Sequence, residues 1–178
     1  MIRTENLTKD FGNNRGVFNL NLNIAAGKIF GFIGPNGAGK TTTIKALCGL
    51  LCPTSGTAFI NDVEVKPRNS TRIKKMIGYM PDSFGVYQQM SVWEYLDFFG
   101  AAFGISRGRR IKRIEEVMEL TGSAYMRDRF VQSLSHGMKQ RIGIARTLLH
   151  DPSVLILDEP ANGLDPQARI DVRQILLR

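Results

Sequence analysis

The segment Gly34-Pro35-Asn36-Gly37-Ala38-Gly39-Lys40-Thr41 limits what this chain can fold into more than any other stretch. It follows an apolar run and opens a helical pattern, and it matches G-x-x-x-x-G-K-[ST] in full. Its glycines let backbone N–H groups turn inward and cradle phosphate oxygens at a helix N-terminus, where the dipole favours negative charge. Lys40 then reaches the β and γ phosphates of a nucleoside triphosphate, and the Thr41 hydroxyl can ligate Mg²⁺. Thr42 offers a further hydroxyl. An ordinary glycine turn capping a helix is the competing explanation, and the strand-loop-helix context disfavours it. The motif therefore predicts triphosphate binding through Gly34, Asn36, Gly37, Gly39, Lys40, Thr41 and Thr42.

Periodicity supplies the surrounding elements. Val17, Phe18, Leu20, Leu22 and Ile24 fall near a two-residue period, which predicts a half-buried strand. Ile29 to Ile33 is short and continuous, the pattern of a strand buried on both faces. Ile44, Leu47, Cys48 and Leu51 then repeat at helical spacing, Pro53 to Gly56 breaks the helix, and Thr57 to Val65 alternates as one strand. Further on, Val92, Tyr95, Leu96 and Phe99 mark one amphipathic helix, and Ile111, Ile114 and Met118 mark another. Leu134 to Leu149 forms a third, Val154 to Leu157 a buried strand, and Asp165-Pro166 opens a last helix with a capping aspartate. Strands at both ends with helices between them imply an α/β sheet carrying a helical subdomain.

The strand Val154 to Leu157 ends in Asp158, Glu159 and Pro160. The C-terminal ends of parallel strands face the ligand crevice, so acids there approach bound phosphates. Asp158 suits Mg²⁺ held through its water shell, and Glu159 suits a general base for an attacking water. Consecutive strand residues point to opposite faces, so the two acids cannot share one task.

Composition narrows the class. The chain is 43% hydrophobic and 22% charged, which supports a folded core. Its most apolar stretch, Phe98 to Ile105, is too short for a membrane span, and Met1 to Asn6 lacks a secretory pattern, so a cytoplasmic protein is expected. The net charge of +8 draws heavily on Arg107, Arg109, Arg110, Lys112 and Arg113. That run reads as a nucleic-acid or lipid footprint or, more commonly, as a solvated helix face. The two cysteines, Cys48 and Cys52, are expected to be buried free thiols.

Leu134-Ser135-His136-Gly137-Met138-Lys139-Gln140-Arg141, lying between the phosphate loop and the acidic strand, resembles the signature sequence of ATP-binding cassette (ABC) ATPases. Gly163-Leu164-Asp165 looks like that family's D-loop, and Gly78 to Asp82 resembles the segment ending at its Q-loop. Phe11 falls where the family places an aromatic ring against adenine. The resemblance runs from about Leu7 to the end with motif order preserved. It implies a P-loop NTPase core with a mainly parallel sheet, an N-terminal antiparallel β portion and an inserted α-helical subdomain. On this division, residues 1–178 form one cassette domain, with 1–81 and 151–178 as ATP-binding core and about 82–150 as the helical subdomain. The resemblance also implies that Ser135 and Gly137 contact ATP bound by a second subunit, with two ATP molecules held between two chains.

Three features depart from the family pattern. Asp82 stands where the Q-loop carries Gln or Glu; its side chain is shorter, so contact with Mg²⁺ or the attacking water is expected through a bridging water rather than directly. His136 replaces a signature glycine, adding charge near phosphate if protonated and strain if the site demands a positive φ. The family's switch histidine has no counterpart, because His150 precedes the acidic strand; a cassette lacking its C-terminal end, with weak ATP hydrolysis, is the expectation. The implied partners are a second ATPase subunit and a membrane permease contacting the helical subdomain, at the inner face of the cell membrane. The alternative is a non-transport cassette acting on ribosomes or nucleic acid. A GTPase is disfavoured because no Asn-Lys-x-Asp pattern occurs.

Overall fold

The turns of the N-terminal β portion are set by residues that tolerate left-handed backbone. In this computed structural model, which describes every residue except Phe84, Val86, Gln88 and Arg178, strand β1 (Ile2–Asp10) pairs antiparallel with β2 (Gly16–Ile24). The register runs from Ile2 opposite Ile24 to Asp10 opposite Gly16. Gly12, Asn13 and Asn14 make the connecting turn at positive φ, as short polar side chains and glycine permit. Strand β3 (Ser55–Ile60) lies antiparallel on the other side of β1, and β4 (Val63–Glu64) pairs with β3, giving the order β2-β1-β3-β4.

Two sequence expectations change here. Thr57 to Val65 is two strands rather than one, because Asn61 and Asp62 take φ of 44° and 62° and fold the segment into a tight hairpin. Ile29 to Ile33 forms no strand, and Ile29, Phe30 and Ile33 are exposed, at 77%, 52% and 94%. A run of this kind is buried only when strands pair on both sides of it. Among the described residues it has no strand partner, so its side chains have no layer to enter.

The chain divides into two compact units, Met1–Ile77 and Gly78–Arg178. In the first, helix α1 (Lys40–Leu47) lies against β3 and buries Thr43, Ile44, Ala46 and Leu47. Helix α2 (Ser70–Met76), unmarked by periodicity, buries Ile73. Cys48 is buried as expected; Cys52 is exposed, since the helix ends before it and turns its segment outward.

The second unit is organised by three helices, α3 (Val92–Ala102), α4 (Arg107–Leu120) and α5 (His136–Leu148). Their apolar stripes meet in one core containing Val92, Tyr95, Leu96, Ile114, Val117, Met118, Ile142 and Ala145. Each such large side chain contributes on the order of 1.5–3 kcal/mol on burial. Strands β5 (Ile77–Met80) and β6 (Val154–Leu157) form a two-stranded sheet, and helix α6 (Pro166–Leu176) follows. Met80, Ile144, Leu164 and Val172 join β5, α5 and α6 in a second apolar cluster.

The basic run on α4 is partly structural. Arg110 donates to Asp97 at 2.5 Å and to the Ile105 carbonyl at 2.9 Å, fastening α4 to α3. Arg113 donates to the Leu148 carbonyl at 2.8 Å and to Asp151 at 3.2 Å, fastening α4 to the end of α5. Arg107, Arg109 and Lys112 face solvent.

Ser91 and Glu94 close a capping box at the start of α3, the hydroxyl accepting from the Glu94 N–H while the carboxylate accepts from the Ser91 N–H. Those bonds, the backbone one foremost, hold the Glu94 carboxyl below its ordinary value of 4.5. A depressed carboxyl stabilises the fold above the unfolded-state value and loses that contribution as pH falls through the folded value. Glu94→Gln is therefore expected to flatten part of the acid-side loss of stability, and Ser91→Ala to cost about 1 kcal/mol at neutral pH; urea unfolding followed across pH checks both.

Candidate functional site

Gly39 decides the geometry of the phosphate loop. It is the N-cap of α1 at φ 87°, a left-handed conformation that suits glycine. A Cβ there would lie 2.4 Å from Cγ2 of Val17 on β2, so the loop also packs where only hydrogen fits. With no side chain, Gly39 leaves the first-turn N–H groups of α1 to an external anion. Gly37 is likewise left-handed, at φ 84°. The Ala38 N–H donates to the Pro35 carbonyl at 3.2 Å.

Lys40 folds back over this loop. Its Nζ donates to the carbonyls of Gly34 at 2.7 Å and Pro35 at 3.1 Å. The ammonium is thus held at the loop mouth, beside the helix N-terminus, and two positive elements converge on one small volume. Thr41 and Thr42 follow in the first turn of α1. Thr43, which sequence reasoning left out, is 2% exposed, and its Oγ1 has no hydrogen-bond partner among the described residues. Its only signal was membership of a threonine run.

Phe11 follows β1 and is 59% exposed, with the Lys9 ammonium 5.5 Å from its ring centroid. Its ring is open to a planar ligand.

In the second unit both acids lie past the end of β6, which stops at Leu157, so the alternation expected for two consecutive strand residues does not set their directions. Asp158 is 3% exposed and its N–H donates to the Met80 carbonyl at 2.9 Å, tying the end of β6 to β5. Glu159 is exposed and takes φ 51°, which turns the chain sharply out of the strand. An Mg²⁺ ion carried by a nucleotide needs only one or two protein oxygens beside phosphate and water. The Thr41 hydroxyl in the first unit and the Asp158 carboxylate in the second are each, taken by itself, an oxygen donor of that type.

Ser135 caps α5, its Oγ accepting from the Met138 N–H at 3.3 Å. The helix begins at His136, two residues later than the apolar pattern starts, because the serine ends the extended approach. Gly137 packs against the start of α6, where a Cβ would lie 3.1 Å from that of Ala168. Asp165 caps α6 through the Ala168 N–H at 3.0 Å, as expected from sequence. His136 and Asp82 come together around Asn162: the ring Nε2 lies 3.0 Å from the Asn162 carbonyl, and the Asn162 amide donates to Asp82 at 3.4 Å. Sequence reasoning missed Asn162, which no spacing rule marks.

A phosphate cradle on a helix start, a strand ending in two acids and a serine-capped helix define an ATP-binding cassette. The sequence model described as "ABC transporter" matches residues 17–162, and the chain belongs to that family. It is 43% identical over 176 residues to the bacitracin transport ATP-binding protein BcrA of Bacillus licheniformis, covering 99% of this chain and 56% of that one. It is 37% identical over 169 residues to the probable multidrug ABC transporter ATP-binding protein YbhF of Escherichia coli, covering 95% of this chain and 29% of that one. The chain therefore spans from under a third to just over half the length of these relatives. Among solved structures, cbiO1 from Clostridium perfringens, part of the cbiONQ transporter complex, superposes with a TM-score of 0.86 at 27% identity, over 99% of this chain and 72% of that one. A dimeric bacterial ABC transporter cassette, MJ0796, superposes at 0.85 with 26% identity, over 99% and 81%. The same cassette in a post-hydrolysis state bound to ADP and Pi superposes at 0.86 with 25% identity, over 99% and 81%. The fold is that of a P-loop NTPase cassette, and the family is one of ATP-binding transport subunits; nothing in these likenesses supports a ribosomal or nucleic-acid cassette.

Gly39→Ala is expected to destabilise the N-terminal unit by more than about 1 kcal/mol, since a left-handed alanine adds backbone strain to the clash with Val17. Thermal unfolding measures that loss, and fluorescent-nucleotide titration measures the accompanying loss of affinity.

Proposed function

We propose that this chain is the MgATP-binding part of the motor subunit of an export-type ABC transporter, with weak ATP hydrolysis of its own. The observation that carries the reading is the phosphate loop: Lys40 held on the Gly34 and Pro35 carbonyls at the uncapped start of α1. Backbone N–H groups of the loop, those of Gly34, Asn36, Gly37 and Gly39, surround the phosphates, and Lys40 neutralises charge on the β and γ groups. Thr41 is the protein ligand to Mg²⁺, Asp158 holds the ion through water, and Asp82 is at most a water-bridged contributor. Thr42 adds a phosphate contact, and Phe11 stacks on adenine.

Glu159 is the general base. Its carboxylate is exposed at the turn after β6, the end of the strand where an acid approaches bound phosphates. Ser135 and the Gly137 N–H, at the start of α5, bind the γ-phosphate of an ATP held by a second ATPase subunit. Support for pairing of two cassettes comes from the dimeric cassette that this chain resembles. ATP binding closes the dimer, and hydrolysis reopens it. In this reading residues 1–81 and 151–178 are the ATP-binding core, and about 82–150 is the helical subdomain on which a membrane permease docks. No helix among the described residues is long and apolar enough to cross a membrane. In the same reading the chain works at the inner face of the cell membrane, as a peripheral subunit docked on the permease. Relatives named as Nod factor export ATP-binding proteins support the exporting direction.

Glu159→Gln is expected to leave MgATP binding within about twofold while slowing turnover by about 10²- to 10⁴-fold, the range for loss of a general base. Lys40→Ala is expected to weaken binding itself. Nucleotide titration beside a phosphate-release assay separates the two, and unchanged turnover in Glu159→Gln removes that residue from its role.

A further inference from the structure

The two residues that depart from the family pattern, His136 in the signature and Asp82 after β5, meet on one backbone turn. The Asn162 carbonyl lies 3.0 Å from Nε2 of His136, and the Asn162 side-chain amide donates to Oδ1 of Asp82 at 3.4 Å. The Asn162 N–H closes a turn onto the Glu159 carbonyl at 3.0 Å. One asparagine therefore links the first residue of α5, the segment after β5 and the turn that carries Glu159.

We propose that His136 and Asp82 are positioning residues that clamp Asn162 from two sides and so set the Glu159–Gly163 turn against the start of α5. A carbonyl only accepts, so Nε2 of His136 must carry a proton and donate. The neutral Nε2–H tautomer and the imidazolium both meet that demand, so the clamp does not depend on the charge of the ring. Gly163, at φ 66°, passes beside the imidazole, and a Cβ there would lie 3.5 Å from Nε2. The histidine thus occupies space next to the turn that a signature glycine would leave open. All three clamp residues are exposed, so each bond competes with water and adds little to global stability. Its effect is local: Ser135, beside His136, and Glu159, at the head of the turn, are held in one fixed relation.

The role of the clamp in the reaction rests on the reading of Ser135 and Glu159 given above, but its geometry does not. The test is hydrogen exchange read by mass spectrometry on the whole protein, run beside ATP turnover. His136→Ala and Asp82→Ala are expected to speed exchange of the amides in 160–165 by about three- to tenfold, the size of one lost exposed hydrogen bond. They are also expected to lower kcat with KM for ATP unchanged. His136→Gln, whose amide N–H sits at a similar reach, is expected to restore both, and Asp82→Asn, whose carbonyl still accepts, to restore the exchange rate. Unchanged exchange in His136→Ala, or equal effects of the alanine and glutamine variants, overturns the clamp. Faster exchange with unchanged turnover overturns its part in the reaction. Faster exchange in a protein whose native form shows no Lys40-dependent turnover leaves the clamp standing and removes the hydrolytic reading instead.

Discussion

Gly39 takes φ 87° within a space where a Cβ would stand 2.4 Å from Val17, and the N-terminal unit is arranged around that fact. The left-handed turn ends the loop and starts α1 at the same residue. It denies the helix a side-chain cap, so the N–H groups of its first turn stay directed at the loop. Val17 is able to crowd Gly39 because β2 pairs with β1 in a register that places Gly16 opposite Asp10. Gly16 is itself required there, since a Cβ would meet the Lys9 carbonyl oxygen at 1.9 Å. Sheet register and phosphate loop are therefore one constraint seen from two sides.

The second unit solves a different problem, holding charged and polar groups at element ends with modest help from burial. Its three-helix core is apolar, but the joints between helices are made by arginines: Arg110 to Asp97, Arg113 to Leu148 and Asp151, Arg141 to Asp171. Arginine suits such joints because its planar fork reaches two acceptors at once. Arg146 adds a fourth: it donates to the Tyr95 hydroxyl at 3.1 Å and lies over the Phe99 ring. Burial pushes the Tyr95 phenol up, and Arg146 opposes part of that shift. The basic run on α4 is thus divided between helix joints and a solvated face.

Most of the candidate site was legible because its chemistry is local. A phosphate loop, a strand ending in Asp158 and Glu159, and a serine before an amphipathic helix each announce themselves within eight residues. The helices of the second unit were legible for the same reason, since a 3.6-residue stripe is a property of one segment. Thr57 to Val65 misled because Asn61-Asp62 interrupts the alternation without a glycine, and the pattern alone does not reveal two left-handed residues in succession. Ile29 to Ile33 misled because continuous apolarity states a wish for burial, whereas strand formation depends on which neighbours pair.

From sequence alone came the cassette's motifs, their order, the residues able to cradle phosphate and the pair of acids that follows the last strand. These follow from residue type and short spacing. Only the tertiary structure decided that Lys40 rests on the Gly34 and Pro35 carbonyls, that Cys52 is exposed, and that α4 spends two arginines on its neighbours. It also brought Asp82, His136 and Asn162 together from positions up to 80 residues apart. Contacts of that range depend on how α5 and α6 pack over the end of β5, through Met80, Ile144, Leu164 and Val172. Packing of that kind is a property of several segments at once.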